Sequence, residues 1–321
     1  MSTQARTARV AIVVTVVALA AASLFIGGYD ITLGSLFAGG EAAEMFSISR
    51  IPRTLALIFA AVAMGVSGVI MQMITQNKFV EPTTAGTSQW AGLGVLTMLL
   101  LAPGAPPLVR MVVASVFALF GTLLFLTVLR RVAVRGSIIV PLVGIMMGAV
   151  VGAVSTFLAG QFNLLQSMSA WRSGGFSSVV EGFYEPLWAV LIVAALAWFA
   201  ADRFTVAGLG EEIATNVGLN YNAMILWGTG LVAVATGVVT VVVGNLPFLG
   251  LIVPNVVSII RGDDLRSNLP WVCLLGIAIV TICDIVGRTI IAPFEVPVSL
   301  ILGIVGAVVF IALLLRQRRR G

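Results

Sequence analysis

The side chains able to do chemistry in this sequence are few. Asp284 and Arg288, in "CDIVGR", stand four residues apart inside an apolar run. That spacing sets acid and base on one helical face, where each neutralises the other in place. Arg50 and Arg53 sit at the start of another apolar run, in "SRIPR". Glu211 and Glu212 open the polar stretch "LGEEIATNVGLN", Leu209 to Asn220. Its apolar residues Leu209, Ile213, Val217 and Leu219, with small Ala214 and Gly218, approach the 3.6-residue period of a short amphipathic helix. The chain has no histidine, and Cys273 and Cys283 lack metal-ligand spacing, so neither a metal site nor the usual proton shuttle is expected. Lys78 is the one lysine and precedes Phe79 and Val80, which excludes a GxxxxGK[ST] phosphate loop. With one embedded acid there is no paired-carboxylate or HExxH set for an intramembrane enzyme. An ion-coupled secondary transporter would need more intramembrane charge or an inverted repeat. No catalytic residue is expected, and any energy source must lie in another chain.

The elements that carry these residues are apolar. Of 321 residues, 60% are hydrophobic and 10% charged, a composition that fits an all-α polytopic membrane protein rather than a soluble domain. Ten spans are expected near 9–27, 52–75, 89–102, 108–130, 138–160, 186–201, 223–244, 247–260, 269–291 and 298–315, the third and eighth being short for a span. Arg6 and Arg9 before an apolar run also resemble a secretory signal, but no soluble domain follows, so the run is read as a helix. Ten spans put both termini on one side. With that side cytoplasmic, thirteen of the eighteen cations fall inside: Arg6, Arg9, Lys78, Arg130, Arg131, Arg135, Arg203, Arg261, Arg266, Arg316, Arg318, Arg319 and Arg320. Arg50, Arg53, Arg110, Arg172 and Arg288 fall outside, as the positive-inside rule requires of a minority. The net charge of +5 is explained this way, without nucleic acid. "LGEEIATNVGLN" is then cytoplasmic. On pattern alone it is either a docking surface for an engine subunit, with its acids at the favourable end of the helix dipole, or an ordinary interfacial loop helix.

Six motifs occur in order: "SRIPRTLALIFAAVAMGVSGVIMQMITQNKFVEPTTAGT", "WRSGGF", "LGEEIATNVGLN", "FLGLIVPNVVSIIRGDDLRSNLPW", "CDIVGR" and "FEVPVSLILGIVGAVVF". From about Arg50 to the C-terminus the chain resembles the FecCD family, the permease subunits of bacterial iron-siderophore and cobalamin ABC importers. The resemblance implies a single transmembrane permease domain over 1–321 with the type II ABC importer permease fold. It further implies a multi-pass place in the cytoplasmic (inner) membrane and a dimer with a second permease subunit, the same or related. Two cytoplasmic ABC ATPase subunits would hold the ATP and magnesium, this chain itself needing no cofactor, and an extracytoplasmic siderophore-binding protein would deliver the chelate.

The same resemblance assigns roles. The loop at about 203–222 would dock the ATPase through Leu209, Gly210, Glu211, Glu212, Ala214, Gly218 and Leu219. Arg50, Arg53 and Arg288 would meet acids on the binding protein, where interface charge steers encounter; the competing readings are interfacial snorkelling and, for Arg288, pairing with Asp284. Asn77 and Phe79 would narrow the cytoplasmic end of the pathway, an apolar ring closing a pore by excluding water. Met71, Gln72, Met146 and Met147 would face the path, methionine offering a bulky chelate a soft surface. The glycines of "AVAMGVSG" and "GIMMGAVVGAV" suit close helix packing, within the subunit or at the dimer axis. Asp263 and Asp264 in "RGDDLRSNLP" read as a solvated turn or a further ATPase contact. Asn255 where many members have histidine, Lys78 in place of proline and Gly306-Ala307-Val308 depart from the common pattern. They resemble a catecholate-type branch (petrobactin, vibriobactin, anguibactin) and weigh against cobalamin and haem.

Overall fold

The computed structural model describes residues 3–27, 32–38, 40–131 and 138–318; Arg135, Arg319 and Arg320 lie outside the described residues. Their regular structure is helical, apart from one isolated bridge between Ile291 and Phe294. In chain order the helices are α1 (Thr3–Phe25), α2 (Leu33–Ala38), α3 (Glu41–Met45), α4 (Ile51–Thr75), α5 (Thr87–Leu101), α6 (Pro107–Arg131), α7 (Ile139–Gln161), α8 (Leu165–Arg172), α9 (Ala189–Phe199), α10 (Ala201–Ala207), α11 (Glu211–Asn216), α12 (Tyr221–Val242), α13 (Leu249–Arg261), α14 (Leu265–Thr289) and α15 (Val298–Arg318). A π turn, Phe46–Arg50, leads into α4, and a 3-10 turn, Glu185–Trp188, leads into α9. Helix is the expected solution, because lipid offers no partner for a free peptide N–H or C=O.

Each expected span meets helix. Six helical stretches are long and apolar enough to cross a membrane alone: Glu41–Thr75, Pro107–Arg131, Ile139–Gln161, Tyr221–Val242, Leu265–Thr289 and Val298–Leu315. The sixth expected span is broken: Glu185–Phe199 and Ala201–Ala207 bend by 63° across Ala200, a break the apolar pattern did not reveal. The third and eighth are the short helices Thr87–Leu101 and Leu249–Arg261, and the first is described as apolar over Val10–Phe25.

Helix α4 is the central post, with 83% of its apolar window buried against 17% for α15. It packs on α12, α14, α13 and α9. Small residues set these crossings. A Cβ at Gly68 of α4 would overlap the backbone of Gly250 in the first turn of α13, and one at Gly65 would press on Val272 of α14 at 2.9 Å. Helix α13 therefore begins beside the middle of α4 rather than at its end. On α7, Gly144 and Gly148 pack on the 84–89 segment that opens α5, whereas Gly152 faces open space. For the first two glycines the close-packing reading holds within the subunit. Backbone that is not helical at this depth has to be covered by protein, and the 76–86 loop is buried almost throughout.

Gly68→Val forces a branched side chain onto backbone that cannot rotate away, at a cost of about 1–3 kcal/mol or more. Gly230→Ala, where an added Cβ meets nothing within 4 Å, removes only a helix-weakening glycine. Melting in detergent is expected to fall for the first variant and hold or rise for the second.

Candidate functional site

Charges that cannot reach water gather at one end of the bundle. Asp284, on α14, is fully buried. Arg288, one turn on, reaches its Oδ2 at 2.5 Å, and Arg53, near the start of α4, reaches its Oδ1 at 2.8 Å. Arg53 also holds Glu295, from the segment before α15, at 2.9 Å. Arg288 donates to the Ser23 carbonyl at 3.0 Å and the Ser23 hydroxyl at 2.6 Å, which fastens α1. Arg50 donates to the Ile26 carbonyl at 2.6 Å. Ser177 Oγ donates to Glu295 Oε2 at 2.5 Å. Burial would raise the Glu295 carboxyl, but the hydrogen bonds from Arg53 and Ser177 hold it below its ordinary value. Asp284 and Glu295 pair Arg53 and Arg288, and Arg50, a third buried cation, rests on the Ile26 carbonyl, since an unpaired buried ion is costly. The expected Asp284–Arg288 pair is present; its second cation, Arg53, and the bridging Glu295 were not legible. Arg50, Arg53 and Arg288 are thus brought together, all buried, on internal partners.

The 76–86 loop folds back onto α13. Asn77 Oδ1 accepts the Phe79 N–H at 2.9 Å. The Phe79 ring is 5% exposed and stands edge-on to Phe310 of α15 at 5.6 Å, with Phe248 on the other side of Phe310 at 6.3 Å. Lys78 pairs with Asp263 at 3.0 Å, while Asn255 donates to the Lys78 carbonyl at 2.7 Å. The turn is exposed, as the solvated reading expects, and it is also hydrogen-bonded: Asp264 accepts the Ser267 N–H at 3.3 Å as the cap of α14. Glu81 is completely buried and accepts the Phe248 N–H at 3.0 Å, at the start of α13, and the Thr83 hydroxyl. Burial pushes its carboxyl up to about 7, against hydrogen bonds from Thr83, Phe248 and Gly250. Sequence reading passed over Glu81 because one acid in a polar loop looks solvated. Met71 is buried in the core of α4, and Gln72 donates to the Gly250 carbonyl at 3.4 Å. Met146 lies apart on α7, 62% exposed, and Met147 is half-buried beside it.

At the opposite end of α4 stands α11. Gly210 (φ 108°) and Gly218 (φ 84°) bracket it, both in the left-handed region that favours glycine. Glu211 and Glu212 occupy its exposed first turn. Ala214 is fully buried, whereas Leu209, Ile213 and Val217 are 59%, 48% and 66% exposed. Leu219 is half-buried, and Asn220 caps α12 by accepting the Ala223 N–H at 3.0 Å. A cavity of about 740 Å³ separates Glu211 and Glu212 from Arg130 of α6 and the end of α4. The helix has an inner face that packs and an outer face, acidic and apolar, that no described residue covers. Among the described residues no group of three or more His, Cys, Asp or Glu could hold a metal ion.

A helical bundle with its ions paired inside and a short uncovered helix at one end defines a multi-pass membrane protein. The family model for the FecCD transport family matches residues 13–316, and the chain belongs to that family. It is 54% identical to the petrobactin import system permease protein FatD of Bacillus anthracis over 96% of this chain and 90% of that one. To the ferric-anguibactin transport system permease protein FatD of Vibrio anguillarum the identity is 40%, over 93% and 95%. To the vitamin B12 import system permease protein BtuC of Klebsiella pneumoniae it is 32%, over 85% and 82%. In fold, the chain superposes on a solved ABC transporter described as of metal-chelate type, in an inward-facing conformation, with a TM-score of 0.80 at 20% identity, covering 95% of this chain and 98% of that one.

Asp284→Asn leaves Arg288 buried without a carboxylate and Arg53 with Glu295 alone, at about 3–5 kcal/mol for a broken buried pair. Folded, monodisperse protein is expected to be lost, and Glu295→Gln, at a partly exposed site, to cost much less; size-exclusion yield and detergent melting read both. For Glu81 the folded-state value lies above the ordinary 4.5, so its contribution is fully present below that pH and is lost as pH rises through about 7. Melting temperature should decline across that window in the wild type, and Glu81→Gln should flatten the decline.

Proposed function

We propose that this chain is the membrane-spanning subunit of an ATP-driven importer of iron(III)–siderophore complexes, of the catecholate-bearing kind. It sits in the bacterial inner membrane with both termini cytoplasmic and pairs with a second permease subunit. Two ATPase subunits dock on its cytoplasmic face, and an extracytoplasmic binding protein delivers the chelate. The observation that carries this reading is α11: Leu209, Ile213 and Val217 exposed beside Glu211 and Glu212, on a helix anchored by Ala214. An apolar face with an acidic edge suits a partner with a matching groove and basic rim. The chain has no nucleotide loop of its own, so the partner supplies ATP and magnesium.

The substrate class follows the relatives: proteins named for petrobactin and anguibactin are 54%, 45% and 40% identical over nearly the whole chain. Cobalamin import is the second reading, favoured by the 32% identity to a vitamin B12 permease. In the assembled transporter, acids of the binding protein would compete with Glu295 for Arg53 and reach Arg50 and Arg288 near it. Asn77 and Phe79 would close the cytoplasmic end of the pathway by bringing the Phe79–Phe310 contact to the subunit interface. Gln72, Met146 and Met147 would offer the passing chelate a soft lining, whereas Met71, packed in the core, would support α4 from within.

The test is the double substitution Glu211→Lys and Glu212→Lys in the complete transporter reconstituted in proteoliposomes. Uptake of iron chelate is expected to fall at least about tenfold, equivalent to about 1.4 kcal/mol of lost docking energy, while the permease still purifies as folded dimer. Wild-type uptake by the double variant would refute docking at α11.

A further inference from the structure

Between α5, α7 and α8 lies a cavity of about 440 Å³, within the ~300–1,000 Å³ of small-molecule sites. Its α7 wall is stripped of bulk, being Gly148, Ala149, Gly152 and Ala153. Facing that wall are Gln89, Trp171, Arg172 and Asn245. None of these is used by the charge knot, the 76–86 loop or α11.

Three observations on them are independent. Arg172 is exposed and forms no hydrogen bond or ion pair with any described residue. The side-chain oxygens of Gln89 and Asn245 are buried from solvent and have no hydrogen-bond partner among the described residues. A buried polar atom left unpaired costs about 1–3 kcal/mol, so native structures keep few of them without a use. Finally, Trp171 is held as a fixed plate. Its Nε1–H donates to the Thr240 carbonyl at 2.6 Å, and Gly92 makes room for the ring, since a Cβ there would overlap it.

The geometry points to a chelate-binding subsite in this cavity, in which Arg172 holds an anionic, oxygen-rich iron complex. The inference rests on the importer reading and names the chemistry that importer selects. Iron(III) bound by catecholate or hydroxycarboxylate oxygens carries net negative charge on its outer oxygens. A guanidinium recognises such oxygens through paired N–H donors. Flat catechol rings stack on Trp171. The amide groups of the ligand backbone meet Gln89 and Asn245, which line the cavity and whose amides carry both donors and an acceptor. A single cation and two neutral amides bind weakly enough to release the chelate, as a conduction pathway requires.

The test uses the complete transporter with its binding protein in proteoliposomes, supplied with radioactive iron(III) petrobactin at limiting concentration. The variants are Arg172→Lys, Arg172→Gln, Arg172→Glu and Gly152→Leu; an added Cβ at Gly152 meets nothing within 4 Å, so leucine fills the cavity rather than the fold. Uptake is expected to stay within about threefold for Arg172→Lys and to fall about tenfold for Arg172→Glu, with Arg172→Gln between, a tenfold change being about 1.4 kcal/mol. Gly152→Leu should block uptake as strongly as Arg172→Glu. Equal behaviour of the Lys and Gln variants would assign Arg172 a merely structural role, and wild-type rates in both Arg172→Glu and Gly152→Leu would place the cavity off the route; either result overturns the subsite and leaves the importer standing. Absence of ferric-chelate uptake by the wild-type transporter would remove the importer reading and the subsite with it.

Discussion

An ion placed in hydrocarbon must bring its counter-ion with it, and around Asp284 that requirement fixes the architecture. One fully buried carboxylate is shared by Arg288 from its own helix and Arg53 from α4, and Arg53 passes the connection on to Glu295. Through Arg288 and Ser23 the same knot holds α1. Helices α1, α4 and α14 and the segment before α15 are thus joined by charge and hydrogen bonds at one end of the bundle. Apolar packing could not do this with the same direction, because lipid is as good a neighbour for leucine as another helix is.

Helix α4 then runs from this knot to the opposite end. On the way Gly68 receives the first turn of α13, and just past its end Gln76 lies against Gly210, which opens α11. Helix α4 therefore runs from the buried charge cluster to the neighbourhood of α11, a short helix whose apolar and acidic face no described residue covers. Helix α11 itself packs on α10 and α12. The 76–86 loop closes the arrangement, because Glu81 and Lys78 grip the two ends of α13.

What the sequence disclosed followed range and period. Each of the ten apolar runs meets helix, six of them long enough to cross a membrane alone, since lipid solubility is written in composition; the 63° bend at Ala200 has no proline or glycine to announce it. Asp284 and Arg288 were legible because four residues on a helix are a local relation. Arg53 and Asp284 are 231 residues apart, and nothing local ties them. Lys78 and Asp263 escaped for the same reason. Glu81 escaped because its string of polar neighbours is what a solvated loop also looks like; only the fold shows it buried under Phe248. The motifs resembling the FecCD family did register α11, and the resemblance supplied a role that period alone left open. Arg172 lies in the "WRSGGF" motif and on the minority side of the charge count, but neither signal pointed to a cavity, since the cavity is made by small residues on a different helix.

The most direct measurement of the central claim is uptake of radioactive iron presented on a panel of siderophores, in cells with and without this chain. Loss of uptake confined to catecholate-bearing chelates, in cells lacking the chain, is the predicted result. Undiminished uptake across the panel, in cells shown to have no second importer for those chelates, would contradict it.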